Sequence, residues 1–398
     1  MRVGDFRADM VSQWVGECFD GELHAKRITS LSDGVLGVLH SASLAVSAIG
    51  LSLAQARGLK AKHATKQVDR LLSNPGIDLG RLFTPWIRHA IGEEREIVVA
   101  MDWTDFDADD QSTLMLSLVT TYGRAQPLLW LTVYKAELTG RRSEFEDLCL
   151  ARLKEALPEG VRVTILADRG FADIRLMEFL GELGFEYVIR FRGDTFVTAA
   201  DGETRKAAQW VGVGGRARKL TGAKLTREGF EVGACVCVDA KGMKEAWHLA
   251  ASDGAKSATA IIDLYAKRWT IEPSFRDTKD LRFGMGMAKL RIADPMRRDR
   301  LLFLNALAIL LLTLLGAAGE SLGMDKDLRT STTKRRTHSL FRQGCMWFGL
   351  IPNMPEPRLR PLLIRFGEMI NQNSLLASVL TRIMRRREVS ASVGGAFW

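Results

Sequence analysis

The chain has 398 residues, 46% hydrophobic and 26% charged, which excludes wholesale disorder and supplies enough apolar residues for at least one large core. Fifty-six Lys and Arg against 47 Asp and Glu give a net charge of +9, a balance that suits a polyanionic partner without establishing one. Five scattered cysteines and six dispersed histidines form neither a disulfide framework nor a zinc-ligand spacing, and suit a reducing compartment.

The N-terminus, Met1-Arg2-Val3-Gly4-Asp5, lacks the apolar run of a signal peptide, so export is not expected. Residues 1–92 read as an all-helical region. Within it the stretch 35–56 predicts one helix, and 65–73, stopped by Asn74-Pro75-Gly76, predicts another. Lys60, Lys62, Lys66 and Arg70 lie along its second half, either as a solvated face or as DNA contacts.

From Glu96 the period changes to that of β-structure. Runs at 97–101, 114–121 and 128–134, separated by turn-prone segments with Gly123 and Pro127, predict an antiparallel meander. A helix over 143–156, a strand over 163–167, a helix over 173–183 and a strand over 187–190 then signal parallel pairing. Residues 193–256 lose helical period and read as a β-rich insertion, dividing a core of 93–192 from its continuation at 257–320. Helix is expected again through Tyr265–Lys279 and after Pro295, where 301–316 is almost wholly apolar. That segment is either a membrane span or a buried core helix; Asn305, Thr313 and the lack of a second such segment favour the core. Residues 321–398 hold thirteen Lys or Arg against five Asp or Glu. Their densest runs, Lys334-Arg335-Arg336 and Arg385-Arg386-Arg387, read equally as solvated faces or as DNA or dimer contacts.

Three acids stand where a fold can unite them: Asp102 directly after the 97–101 strand, Asp168 directly after the 163–167 strand, and Glu272 in a helix. If the two strands are neighbours their carboxylates converge, and buried like charges need cations or protons for relief. Three carboxylates without histidine suit two Mg²⁺ ions in phosphoryl transfer. Equally, each acid could be an ordinary cap or surface residue, Asp102 above all, given Asp105, Asp107, Asp109 and Asp110 nearby. Tyr265, Arg268, Glu272 and Lys279 fall within a sector of about 60° on a helix about 21 Å long between first and last. One carboxylate among cations on a single face suits a nucleic-acid backbone; an Arg268–Glu272 surface pair explains only part of it. Pro273 predicts a kink at Glu272.

Tyr265-Ala-Lys-Arg268-Trp-Thr-Ile-Glu272-Pro-Ser-Phe-Arg-Asp-Thr-Lys279 resembles the signature of bacterial insertion-sequence DDE transposases of the Tyr-Arg-Glu-Lys group. The resemblance implies a ribonuclease-H-like α/β fold: a mixed sheet with flanking helices, interrupted by a β-rich insertion, with helical N- and C-terminal regions. It implies Asp102 (in Asp102-Trp103-Thr104), Asp168 (in Asp168-Arg169-Gly170-Phe171) and Glu272 as catalytic metal ligands. Two Mg²⁺ ions, with Mn²⁺ substituting, would serve cleavage at transposon ends and strand transfer by the freed 3′-hydroxyl. By the same resemblance Tyr265, Arg268, Lys279, Arg169 and Arg190 contact DNA, and Trp247, with Trp210 as rival, stacks on a flipped base. Otherwise Trp247 fills the insertion's own core. The implied partners are double-stranded terminal-repeat and target DNA and a second copy in a homodimer, in the cytoplasm and without a membrane. The competing readings are a catalytically silent repressor derived from a transposase and a protein anchored through 301–318.

Overall fold

The computed structural model describes residues 3–330, 332–333 and 336–371. Arg385-Arg386-Arg387 and, in the earlier basic run, Lys334 and Arg335 lie outside the described residues.

Five helices open the chain: α1 (Val3–Cys18), α2 (Ala25–Ser41), α3 (Val46–Arg57), α4 (Ala61–Leu72) and α5 (Leu79–Ile91). The single helix expected over 35–56 is two, α2 and α3, bent by 99°. Ala42 takes left-handed backbone (φ 45°) and its N–H closes on the Val38 carbonyl, which ends α2 as a glycine ordinarily would.

The sheet begins with the expected meander, β1 (Glu96–Phe106), β2 (Gln111–Val119) and β3 (Ala125–Tyr134). After α6 (Arg142–Ala156), β4 (Arg162–Ala167) pairs parallel with β1; after α7 (Ile174–Glu182), β5 (Glu186–Phe191) pairs parallel with β4. The segment 193–256 supplies β6 (Phe196–Thr198), β7 (Thr204–Lys206), β8 (Arg218–Leu225), β9 (Phe230–Val238) and β10 (Trp247–Ala251). It extends the same sheet, because β10 pairs antiparallel with β5, giving ten strands in the order β3-β2-β1-β4-β5-β10-β9-β8-β6-β7. This mixed sheet with helices on its faces is the ribonuclease-H-like fold, with helical termini added.

The helix expected through Tyr265–Lys279 is interrupted. It consists of α8 (Ala258–Ala266), a 3-10 turn over Lys267–Thr270 and α9 (Ile271–Lys279). The break thus precedes Glu272 rather than falling on it. Pro273 lies in the first turn of α9, where its missing N–H costs nothing, and the carbonyl it would crowd, that of Trp269, is in the 3-10 turn.

α10 (Pro295–Ser321) carries the apolar run, and its most apolar window is 94% buried within the protein, the position of a core helix. It packs between the sheet, the N-terminal helices, and α11 (Leu340–Leu350) and α12 (Glu356–Asn371). One continuous apolar core therefore joins Leu31 and Trp86 of the N-terminal helices, Trp130 of β3, Phe303 of α10 and Trp347 of α11. Backbones touch where α10 crosses α11: a Cβ at Gly316 would overlap the Leu340 carbonyl, and one at Gly344 the Leu312 carbonyl. Arg336, the described member of its basic run, pairs at 3.0 Å with the buried Glu320 of α10.

Candidate active site

Side chains alternate between the two faces of a strand, and that alternation places the acids. Val98, Ala100 and Asp102 share one face of β1, as do Leu166 and Asp168 at the end of β4, Val188 and Arg190 on β5, and Trp247, Leu249 and Ala251 on β10. The apolar members of this set pack beneath α8 and α9, where Leu166, Val188, Leu249 and Ala251 meet Ile261 and Tyr265, and Ala100 meets Ile271. The polar members follow where each strand reaches the sheet's edge. Because β10 runs antiparallel to β5, its first residue, Trp247, lies at the same edge as the last residues of β5.

Asp102 is inside β1 rather than after it. The parallel ladder with β4 ends at Met101 and Ala167, while pairing with β2 continues through Asp102 and Met115. Its carboxylate is the first of β1 past the buried parallel ladder. Asp168 caps the 3-10 turn Arg169–Phe171, its Oδ1 accepting from Gly170 N at 2.8 Å.

Glu272 is held by its helix. Ser274 Oγ of α9 accepts from Ala125 N at 2.8 Å, Asp277 pairs with Arg124 Nε at 2.5 Å, and Thr278 Oγ1 accepts from Asn305 Nδ2 of α10 at 3.0 Å. Lys279 closes the other end: its ammonium donates to Thr104 Oγ1 at 3.0 Å and to the Asp105 carbonyl at 2.6 Å, and lies 4.8 Å from the Phe106 ring. α9 is thereby tied to the strand that carries Asp102.

The electrostatics are those of crowded anions. Burial, joined by the nearby Asp168 and Glu272 charges, pushes the Asp102 carboxyl up to about 6 against the opposing pull of Arg268. Arg268 Nη1 donates to Asp102 Oδ2 at 3.1 Å, and its Nη2 is 4.0 Å from Glu272 Oε1. The guanidinium thus holds the cationic place between two of the acids. Among the described residues no group of three or more His, Cys, Asp or Glu forms a ready-made metal cage. The donor chemistry nevertheless fits a hard divalent cation: three carboxylates from separate elements, one of them lifted in pKa chiefly by burial.

Tyr265 is buried; desolvation raises its phenol's pKa, while Arg268 and Arg190 counter that rise. Trp247 meets it edge to face, ring centroids 4.9 Å apart. Trp210, by contrast, is buried in the insertion, donating to the Val197 carbonyl at 3.1 Å between the guanidiniums of Arg205 and Arg218. Arg169 and Arg190 both reach Glu245, a residue that sequence reasoning passed over. No local pattern marks it, because its partners lie 76 and 55 positions away.

Residues 93–311, more than half of the chain, match the family model described as a transposase DDE domain. No curated protein matches the chain.

Proposed function

Because the chain belongs to the transposase DDE-domain family, whose members use divalent metal ions, we propose that it cleaves double-stranded DNA at transposon ends and joins the freed 3′-hydroxyl to target DNA. The observation that carries this reading is the Arg268 guanidinium, which donates to Asp102 Oδ2 at 3.1 Å and stands 4.0 Å from Glu272 Oε1, with the Asp168 charge acting on the same Asp102 carboxyl. The Tyr265-Arg268-Glu272-Lys279 spacing supports membership of the Tyr-Arg-Glu-Lys group.

Asp102, Asp168 and Glu272 would hold the Mg²⁺ ions, with Mn²⁺ as substitute; when bound, such ions supply Lewis-acid stabilisation of charge at phosphorus. Arg268 keeps the carboxylates compatible with one another until then. Tyr265, Arg268, Lys279, Arg169 and Arg190 position the DNA backbone, and Trp247 stacks on an unpaired base. In the first displacement a water oxygen bonds to the scissile phosphorus as the 3′-oxygen leaves and takes a proton. In the second that 3′-hydroxyl oxygen gives up its proton and bonds to a target phosphorus in the same in-line geometry, expelling the target strand's 3′-oxygen, which takes up a proton. Two ends must meet, so the working form is a homodimer, acting in the cytoplasm.

The test is cleavage of labelled terminal-repeat duplex with Mg²⁺. The native chain is expected to cut; Asp168→Asn and Glu272→Gln are expected to bind DNA without cutting. Undiminished cutting by either variant would remove that residue from the catalytic set.

A further inference from the structure

Arg169 and Arg190, from the ends of two neighbouring strands, converge on one carboxylate in the loop between β9 and β10. Arg190 Nη1 donates to Glu245 Oε1 at 2.8 Å, and Arg169 Nη1 to Glu245 Oε2 at 3.2 Å. Arg190 Nη2 also holds the Ala246 carbonyl at 3.2 Å, while Arg190 Nε is buried without a hydrogen-bond partner among the described residues. The two arginines hold the Glu245 carboxyl below the ordinary carboxylate range, Arg190 the more strongly.

A carboxylate whose two oxygens each take a different guanidinium presents the charge and fork of a phosphodiester's two non-bridging oxygens. The place is also where a backbone would pass. Arg169 directly follows Asp168, and Arg190 acts on Tyr265, which packs against Trp247. Glu245 itself is open to water, its side chain 49% exposed, as is Arg169 at 56%. Releasing Glu245 is cheap on its own side, since the displaced carboxylate is rehydrated rather than stranded, while Arg190, 13% exposed, needs another anion in its place.

Resting on the DNA reading above, we infer that Glu245 occupies a phosphodiester subsite formed by Arg169 and Arg190, and that duplex DNA binds there by displacing it. The DNA-free protein thus carries an internal anion that competes with its substrate. A clamp serving only the fold would behave oppositely, since its loss would loosen the loop and weaken DNA binding.

The test is fluorescence anisotropy of a labelled terminal-repeat duplex in EDTA, over a KCl series, with the full chain, Glu245→Gln, the pair Arg169→Gln and Arg190→Gln, and all three substitutions together. Glu245→Gln is expected to bind about three- to fivefold tighter, the scale of an exposed ion pair. The double arginine variant is expected to bind more weakly, with a shallower salt slope. Adding Glu245→Gln to it is expected to change nothing. Equal or weaker binding by Glu245→Gln, or the same gain without the arginines, would overturn the inference. Absence of binding by all four proteins, each with a cooperative thermal melt, would instead remove the DNA reading and this subsite with it.

Discussion

The head of α10 and the rim of the candidate site both join arginines to carboxylates, and they differ in access to water. At the head of α10, four consecutive charged residues reach four different places. Arg297 pairs with Asp69 at 2.6 Å, and Arg300 donates to the Leu72 and Ile77 carbonyls at 3.2 and 3.0 Å. Arg298 meets Asp109 at 2.5 Å and Gln111 at 2.6 Å, and lies 4.0 Å from the Phe106 ring. Asp299 accepts from Thr132 N at 3.3 Å. Arg298 is wholly buried and Asp109 is 7% exposed, whereas Arg169 and Glu245 at the rim are half exposed. A desolvated pair cannot change partners without stranding a charge; a hydrated one can. The first therefore fixes α10 to the turn between β1 and β2, while Arg297 and Arg300 tie the same helix to the N-terminal helices, and the second is free to trade its anion.

Substitutions that break one cluster and spare the other sharpen this contrast. The largest expected effect is at Asp109→Ala, which strands Arg298 and should cost about 3–5 kcal/mol in urea unfolding; a cost like that of an exposed pair would mean that water reaches the head of α10. Asp299 comes next. Burial pushes its carboxyl up to about 7, against an ordinary value of 3.8, so the folded protein retains a proton that the unfolded chain loses. Its ionisation therefore removes stability as pH rises from about 4 to about 7, by up to roughly 4 kcal/mol. Asp299→Asn should match the native chain at pH 4 and exceed it at pH 8; parallel pH profiles for the two would contradict the assignment. Gly344→Ala, which drives a methyl into the Leu312 carbonyl, should cost about 1–3 kcal/mol without altering the pH profile. At the rim, Glu245→Gln should change stability by less than about 1 kcal/mol, its effect appearing in DNA affinity instead.

What could be read from the sequence followed from local period and punctuation. The β1–β5 strands, the helices between them and the strand-rich character of 193–256 were legible because their apolar runs alternate or recur locally. The positions of Asp102, Asp168 and Glu272 at a strand end, a turn and a helix were legible because strand ends and one helical spacing mark them. The division of 35–56 into two helices was not, since Ala42 is neither glycine nor asparagine and nothing in its neighbours announces left-handed backbone. By sequence Asp102 follows its strand because apolarity ends at Met101, yet β2 goes on pairing with the polar residues beyond. Pro273 announced a break, and only the structure shows that the preceding turn absorbs it as a 3-10 segment. Charge runs were the least informative: Arg336 belongs to a basic triplet by sequence and to a buried ion pair by structure. Glu245 shows the same limit, because long-range partners leave no trace in local spacing.

The central claim is that Asp102, Asp168 and Glu272 serve one divalent-metal centre. Replacing Mg²⁺ by Fe²⁺ with ascorbate and peroxide tests it most directly, because hydroxyl radicals formed at the metal cut the polypeptide beside its ligands. The expected result is scission near 102, 168 and 272, suppressed by excess Mg²⁺ and lost in Asp168→Asn. Scission confined to other segments, or unchanged in that variant, would contradict the account.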